Sequence, residues 1–138
     1  MYRIAIVDDD REFVEELKKY INQYGQEEGQ EFEVSAFYDG AEILESYVPK
    51  YDLILLDVNM HGMDGFTVVQ KLRSRGIKTP IIIVSGRKED YDTLYGLDIG
   101  ADDYVTKPFN PIVLGAKVKA LIRRSKGSLH GADAITMA

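Results

Sequence analysis

Apolar residues occur along the chain in short uninterrupted runs, and between them they recur at helical spacing. The clearest run is LILL at residues 53–56, which continues without a polar residue and stops at Asp57. A run of that length bounded by turn residues reads as a strand buried on both faces, as in a parallel sheet. Gly62, Asp64 and Gly65 then mark a loop and the start of a helix, with Asp64 placed to cap it. The same pattern predicts strands at residues 4–7, 32–37, 81–84 and 103–106.

Between the strands, Phe13, Leu17, Tyr20, Ile21 and Tyr24 form one face of a first helix, and Gly25 and Gly29 fall in a polar connection. Asp39-Gly40 opens a short helix stopped by Pro49, and Phe66, Val69 and Leu72 mark a third. A fourth helix is expected over residues 89–99, with Gly100 as its stop and Gly96 as an unfavourable interior residue. Asn110-Pro111 is an N-cap followed by proline at the first helical position, and the last helix is expected to end near Arg124. Strand and helix thus alternate five times, which predicts an α/β fold with a parallel sheet and helices on both faces. Residues 1–124 are expected to form the domain. Residues 125–138, small and polar without periodicity, are expected to be a linker stub or a disordered tail.

Composition narrows the function. The 138 residues suit one domain, and 45% hydrophobic with 29% charged residues is the balance of a globular protein. A net charge of −6 argues against direct nucleic-acid binding by this chain. The absence of cysteine removes disulfides, thiolate catalysis and cysteine metal sites. No run approaches membrane-spanning length and Met1-Tyr2-Arg3 leads straight into a strand, so no membrane partner is expected and a cytoplasmic location is.

Parallel strands aim their carboxyl ends at one edge of the sheet, where ligands of such folds bind. Asp8 and Asp9, Asp57, Ser85 and Lys107 all stand at such ends. Taken singly, each has an ordinary reading: a helix cap, a solvated acidic turn, a turn serine, a surface lysine. Together they form a charged cluster. Two carboxylates at ~4 Å repel by about 4 kcal/mol at an effective dielectric of 20, so the set calls for a cation. An all-oxygen site favours Mg²⁺, with Mn²⁺ possible and Ca²⁺ a competitor. Asp57 is then a candidate nucleophile toward phosphorus, with Lys107 and Ser85 available to the transferred oxygens.

These residues lie in VDDD (7–10), LDVNMHGMDG (56–65), VSG (84–86) and GADDYVTKPF (100–109), and in that combination the chain resembles the receiver domains of two-component response regulators over about residues 3–124. The resemblance implies a flavodoxin-like (βα)5 three-layer sandwich with sheet order 2-1-3-4-5. It implies that Asp57 accepts a phosphoryl group from a sensor histidine kinase. Asp9 and Asp57 would ligate Mg²⁺ directly, Asp8 through water, and Asn59 through its backbone carbonyl. Ser85 would follow the phosphoryl group, Tyr104 would be an aromatic rotamer switch, and Lys107-Pro108 would be cis. The chain would catalyse only its own phosphorylation and dephosphorylation.

The late segment is similar to receivers that precede a winged-helix DNA-binding domain, which implies transcription regulation and a phosphorylation-dependent homodimer. Its face would carry Leu94, Leu97 and Ala116, with Asp98, Asp102, Lys117 and Arg123 as charged partners. The chain departs from the family at His61, where proline is usual, at Gly86, where alanine is common, and at Lys117, where the dimer-forming subgroup has arginine. A phosphohydrolase of the haloacid-dehalogenase type would want a second acid at position 59, which is Asn59. A module that kept the fold but lost the chemistry would not need the complete set Asp8, Asp9, Asp57, Ser85 and Lys107.

Overall fold

The computed structural model describes residues 1–137, with side chains described through Arg124. Its elements run β1 (Tyr2–Val7), α1 (Arg11–Glu28), β2 (Phe32–Phe37), α2 (Gly40–Ser46), β3 (Leu53–Leu56), α3 (Gly65–Ser74), β4 (Ile81–Ser85), α4 (Asp90–Asp98), β5 (Asp103–Thr106) and α5 (Pro111–Met137). All strand pairs are parallel and the order is β2-β1-β3-β4-β5, the flavodoxin-like arrangement.

Alternation along the strands sorts the core into two layers. Ala5, Val7, Ile54, Leu56, Ile81 and Ile83 face one side and pack with Ile43 and Leu44 of α2 and with Phe66, Val69 and Leu72 of α3. Ile4, Ile6, Leu53, Leu55, Ile82 and Val84 face the other and pack with Val14, Leu17 and Ile21 of α1 and Leu114, Val118 and Leu121 of α5. Every residue of β3 and β4 is buried, as expected for central strands covered on both faces.

Short polar residues start four of the helices. Asp10, Asp39 and Asp64 accept from the backbone N–H three residues on at 3.1, 2.8 and 2.9 Å, and Asn110 accepts from Ile112 at 2.9 Å. Two glycines behave differently from the sequence expectation. Gly25 lies inside α1 rather than in the connection: a Cβ there would sit 2.7 Å from the Gln30 carbonyl oxygen and 2.8 Å from the Phe32 ring, so the helix crosses β2 too closely for a side chain. The turn is made by Gly29, whose φ of 66° closes the helix in the left-handed region. Gly96, a liability on helix propensity alone, is buried where a Cβ would meet Ile83 at 2.9 Å and Tyr104 at 3.2 Å. Close packing of α4 on the sheet requires it.

The backbone of α5 continues helically past Arg124, where the sequence expectation ended it; residues 125–137 contain no proline to stop it. The linker-or-tail reading of residues 125–138 lies outside the described side chains.

Candidate functional site

Strand register builds the site. Val7 of β1 pairs with Leu56 of β3, Leu56 with Ile83 of β4, and Ser85 of β4 with Thr106 of β5. The residues that follow, Asp8, Asp57 and Lys107, therefore emerge side by side with Ser85 at the carboxyl edge. The backbone carries the register one step further, since the Asp57 N–H donates to the Val7 carbonyl at 2.9 Å and the Asp8 N–H to the Phe37 carbonyl at 3.0 Å. A Cβ at Gly65 would collide with the Asp57 carbonyl, so the start of α3 presses directly against the Asp57 backbone.

Carboxylate oxygens of Asp8, Asp9 and Asp57 lie within 4.8 Å of one another, with Asp8 and Asp57 buried. Lys107 donates to Asp8 at 2.8 Å and stands 3.7 Å from Asp57. Its Nζ also lies 4.0 Å from the Phe13 ring centre, and Phe13 meets Phe109 edge-on. Phe13 thus does more than fill the helix face assigned to it from sequence: it walls the ammonium into the pocket.

Burial pushes the Asp57 carboxyl up to about 6, and the neighbouring charge of Asp8 adds to the rise. Lys107 and the backbone N–H groups of Val58 and Asn59 oppose it without cancelling it. Asp9 goes the other way. Burial raises it, but the backbone N–H of His61 donates to its carboxylate at 2.9 Å and the ring Nδ1 lies 2.7 Å away, so it is held below the usual value. Three carboxylates with no nitrogen or sulfur among them suit a hard divalent cation of the Mg²⁺ type, so the residues present fit the metal that the sequence resemblance implies.

Ser85 is fully buried at the end of β4, where its Oγ accepts from the Arg87 N–H at 3.2 Å. Tyr104 is buried as well, and its hydroxyl donates to the Arg87 carbonyl at 3.0 Å. Burial pushes its phenol up, with the Ser85 hydroxyl partly offsetting the rise. The Lys107-Pro108 bond is cis. Asn59 lies two residues beyond Asp57, and its side chain accepts from Arg87 Nε at 3.0 Å. Arg87 is the residue that sequence reasoning missed; its distance of two residues from Ser85 was the only signal.

On the α4–β5–α5 side, Leu94 and Leu97 are exposed, as are Asp98, Ala116 and Arg123. The other two charges expected to face a second copy are already engaged within the chain. Asp102 accepts from Arg73 at 3.0 Å, Arg124 at 2.8 Å and the Ile81 N–H at 2.8 Å, and Lys117 donates to Asp103 at 2.8 Å. A groove of about 470 Å³ between α1 and α5 is lined by Tyr20, Tyr24, Ile112 and Gly115, and Asp8, Asp9 and Asp57 are not part of its lining. Among the described residues, no helix is long and apolar enough to cross a membrane.

Five parallel β-α units, with an acidic triad, a lysine and a buried serine at the carboxyl edge of the sheet, define a domain of the flavodoxin-like class. Residues 4–119 match the response regulator receiver domain, and the chain belongs to that family. Receiver domains are signalling modules, and phosphorylation and Mg²⁺ binding at an acidic pocket are general to them. The chain is 40% identical over 131 residues to the transcriptional regulatory protein TctD of Salmonella typhimurium, covering 93% of this chain and 55% of that one. It is 38% identical over 125 residues to the alkaline phosphatase synthesis transcriptional regulatory protein PhoP of Bacillus subtilis, covering 90% of this chain and 50% of that one. It thus spans about half the length of the curated relatives it matches. A two-component response regulator from Clostridium difficile superposes with a TM-score of 0.79 at 34% identity, over 90% of this chain and 98% of that one.

Proposed function

We propose that the chain is a phosphoacceptor switch in which Asp57 takes a phosphoryl group from a sensor histidine kinase. The observation that carries this reading is the meeting of Asp8, Asp9 and Asp57 within 4.8 Å beside Lys107 and Ser85. An Asp57 carboxylate oxygen attacks phosphorus as the phosphorus–nitrogen bond of a phosphohistidine breaks, and the electron pair leaves with the imidazole. Asp57 stays mostly ionised at neutral pH even with its carboxyl raised to about 6. Asp9 and Asp57, with Asp8 through water and the Asn59 backbone carbonyl, would hold Mg²⁺, which would supply charge neutralisation for the transferred oxygens.

The chain's own groups do the rest. Lys107, 3.7 Å from Asp57, neutralises a further oxygen, and the Val58 and Asn59 N–H groups already aim at the carboxylate. Ser85 donates its hydroxyl to the product phosphoryl group, which draws the β4–α4 connection inward and favours the buried position of Tyr104. The face of α4, β5 and α5 then controls an output, for which the relatives' names support transcription regulation, or a homodimer through Leu94, Leu97, Asp98, Asp102, Ala116, Lys117 and Arg123.

Incubation with acetyl phosphate and Mg²⁺ tests the core of the reading by intact mass. The wild type is expected to gain about 80 Da, one phosphoryl group with a charge of about −1.5 to −2, and Asp57→Asn to gain nothing. Mass gain in Asp57→Asn sinks the assignment.

A further inference from the structure

Arg87 connects four parts of the switch at once. Its N–H donates to Ser85, its carbonyl accepts from Tyr104, and its Nε donates to Asn59 at 3.0 Å. Its guanidinium also reaches α4, with Nη1 3.6 Å from Asp92 and the group 5.8 Å from the Phe66 ring centre. Asp92 is buried in the first turn of α4, and among the described residues this is its sole ion pair. The two ends of the contact are unequal. The Arg87 side chain is 45% exposed and the Asp92 side chain only 7%, so the guanidinium reaches solvent while the carboxylate does not. On the other side Arg87 stands one residue's reach from the phosphoacceptor, because Asn59 also directs its own N–H at the Asp57 carboxylate.

We propose that Arg87 is the link by which a phosphoryl group on Asp57 acts on α4: the guanidinium leaves Asp92 for a phosphoryl oxygen, and the stranded Asp92 opens the first turn of the helix. Two general preferences drive the exchange. A guanidinium binds a phosphate, with its larger charge and three acceptor oxygens, in preference to one carboxylate oxygen at long range. A buried carboxylate deprived of its counter-charge is strongly unfavourable and is relieved by admitting water. The weakly sealed end of α4 allows that: Glu89 at its N-cap makes no side-chain hydrogen bond to the helix, unlike the caps of α1, α2 and α3. The inference rests on Asp57 as the phosphoacceptor, and it makes Arg87 a positioning residue and Asp92 the released element.

Hydrogen exchange read by mass over residues 89–98, alongside intact mass, tests it with and without acetyl phosphate in the presence of Mg²⁺. In phosphorylated wild type, exchange in α4 is expected to rise about fivefold. Arg87→Ala is expected to show that raised exchange without phosphate and no further rise in its phosphorylated molecules. Asp92→Asn, which removes the buried charge, is expected to take up phosphate as the wild type does while α4 stays protected in both states. Unchanged α4 exchange in phosphorylated wild type overturns the inference alone, as does a wild-type response in Arg87→Ala or Asp92→Asn. Absence of any mass gain in wild type overturns the phosphoacceptor reading and the inference with it.

Discussion

Asp57 is expected to destabilise the metal-free fold at neutral pH, and its removal to reveal by how much. Its carboxyl ordinarily titrates at 3.8 and is pushed up to about 6 by burial and by Asp8. Each unit is worth 1.36 kcal/mol, so the ionised group costs the folded state about 3 kcal/mol at most; discounting for water at the pocket mouth leaves about 1–2 kcal/mol. The sign follows from linkage. A carboxyl whose folded value is raised binds its proton more tightly when folded, so stability falls as pH rises from about 4 to about 6 and stays low above it. Asp57→Asn is therefore expected to be more stable than wild type at pH 7.5 in EDTA, and the gain is expected to shrink by about half at pH 5. Urea unfolding of both proteins at the two pH values measures this, because the carboxylates outside the pocket cancel in the difference. Adding Mg²⁺ is expected to raise the wild type and leave the variant nearly unchanged. A variant no more stable than wild type at pH 7.5, or a gain that does not shrink at pH 5, refutes the reasoning.

Asp9→Ala is expected to weaken Mg²⁺ binding, read as a higher midpoint in a metal titration followed by NMR shifts; an unchanged midpoint removes Asp9 from the ligand set. Arg73→Ala is expected to lose about 2–4 kcal/mol of stability in urea, because Arg73 donates to the carbonyls of Gly100, Ile77 and Thr79 at 2.9 Å each and to Asp102 at 3.0 Å. Sedimentation with beryllofluoride as a phosphoryl mimic is expected to show dimers through the α4–β5–α5 face; a monomer at high micromolar concentration in both states defeats that face as a dimer surface.

The parallel sheet was legible because its central strands are uninterrupted apolar runs, and the site because each run ends in a residue with chemistry. Asp8, Asp57, Ser85 and Lys107 converge for a reason that depends on topology and not on side-chain detail. What the chain alone did not reveal depends on approach distances. Gly25 reads as a turn residue in sequence, yet it is a helix residue pressed onto Gln30 and Phe32. Gly96 reads as a weak point, yet the space above Ile83 and Tyr104 admits nothing larger. Arg87 offers only its nearness to Ser85, because its partners Asn59 and Asp92 come from the loop after β3 and from α4. Likewise, Asp102 and Lys117 look available for a second copy until Arg73, Arg124 and Asp103 are seen to occupy them.

Those occupied charges bear on where the switching energy comes from. Turning a mostly inactive population into a mostly active one takes about 5.5 kcal/mol of differential stabilisation. Exposed ion pairs at a dimer face contribute about 0–1 kcal/mol each, and two of the expected charges would first have to leave partners at 2.8 to 3.0 Å. On the proposed reading, the face would read out the switch without powering it. The phosphoacceptor pocket is better placed to supply the energy, since it holds two buried carboxylates against one lysine before any phosphate arrives. Lys107 then sits 2.8 Å from Asp8 and only 3.7 Å from Asp57, held mainly by the acid that does not react. On the proposed reading, a phosphoryl group on Asp57 would reverse that preference, because its added charge would draw the Lys107 ammonium from Asp8 toward the phosphoryl oxygens. Ser85 and Tyr104, already linked through the two backbone groups of Arg87, would respond to the same charge.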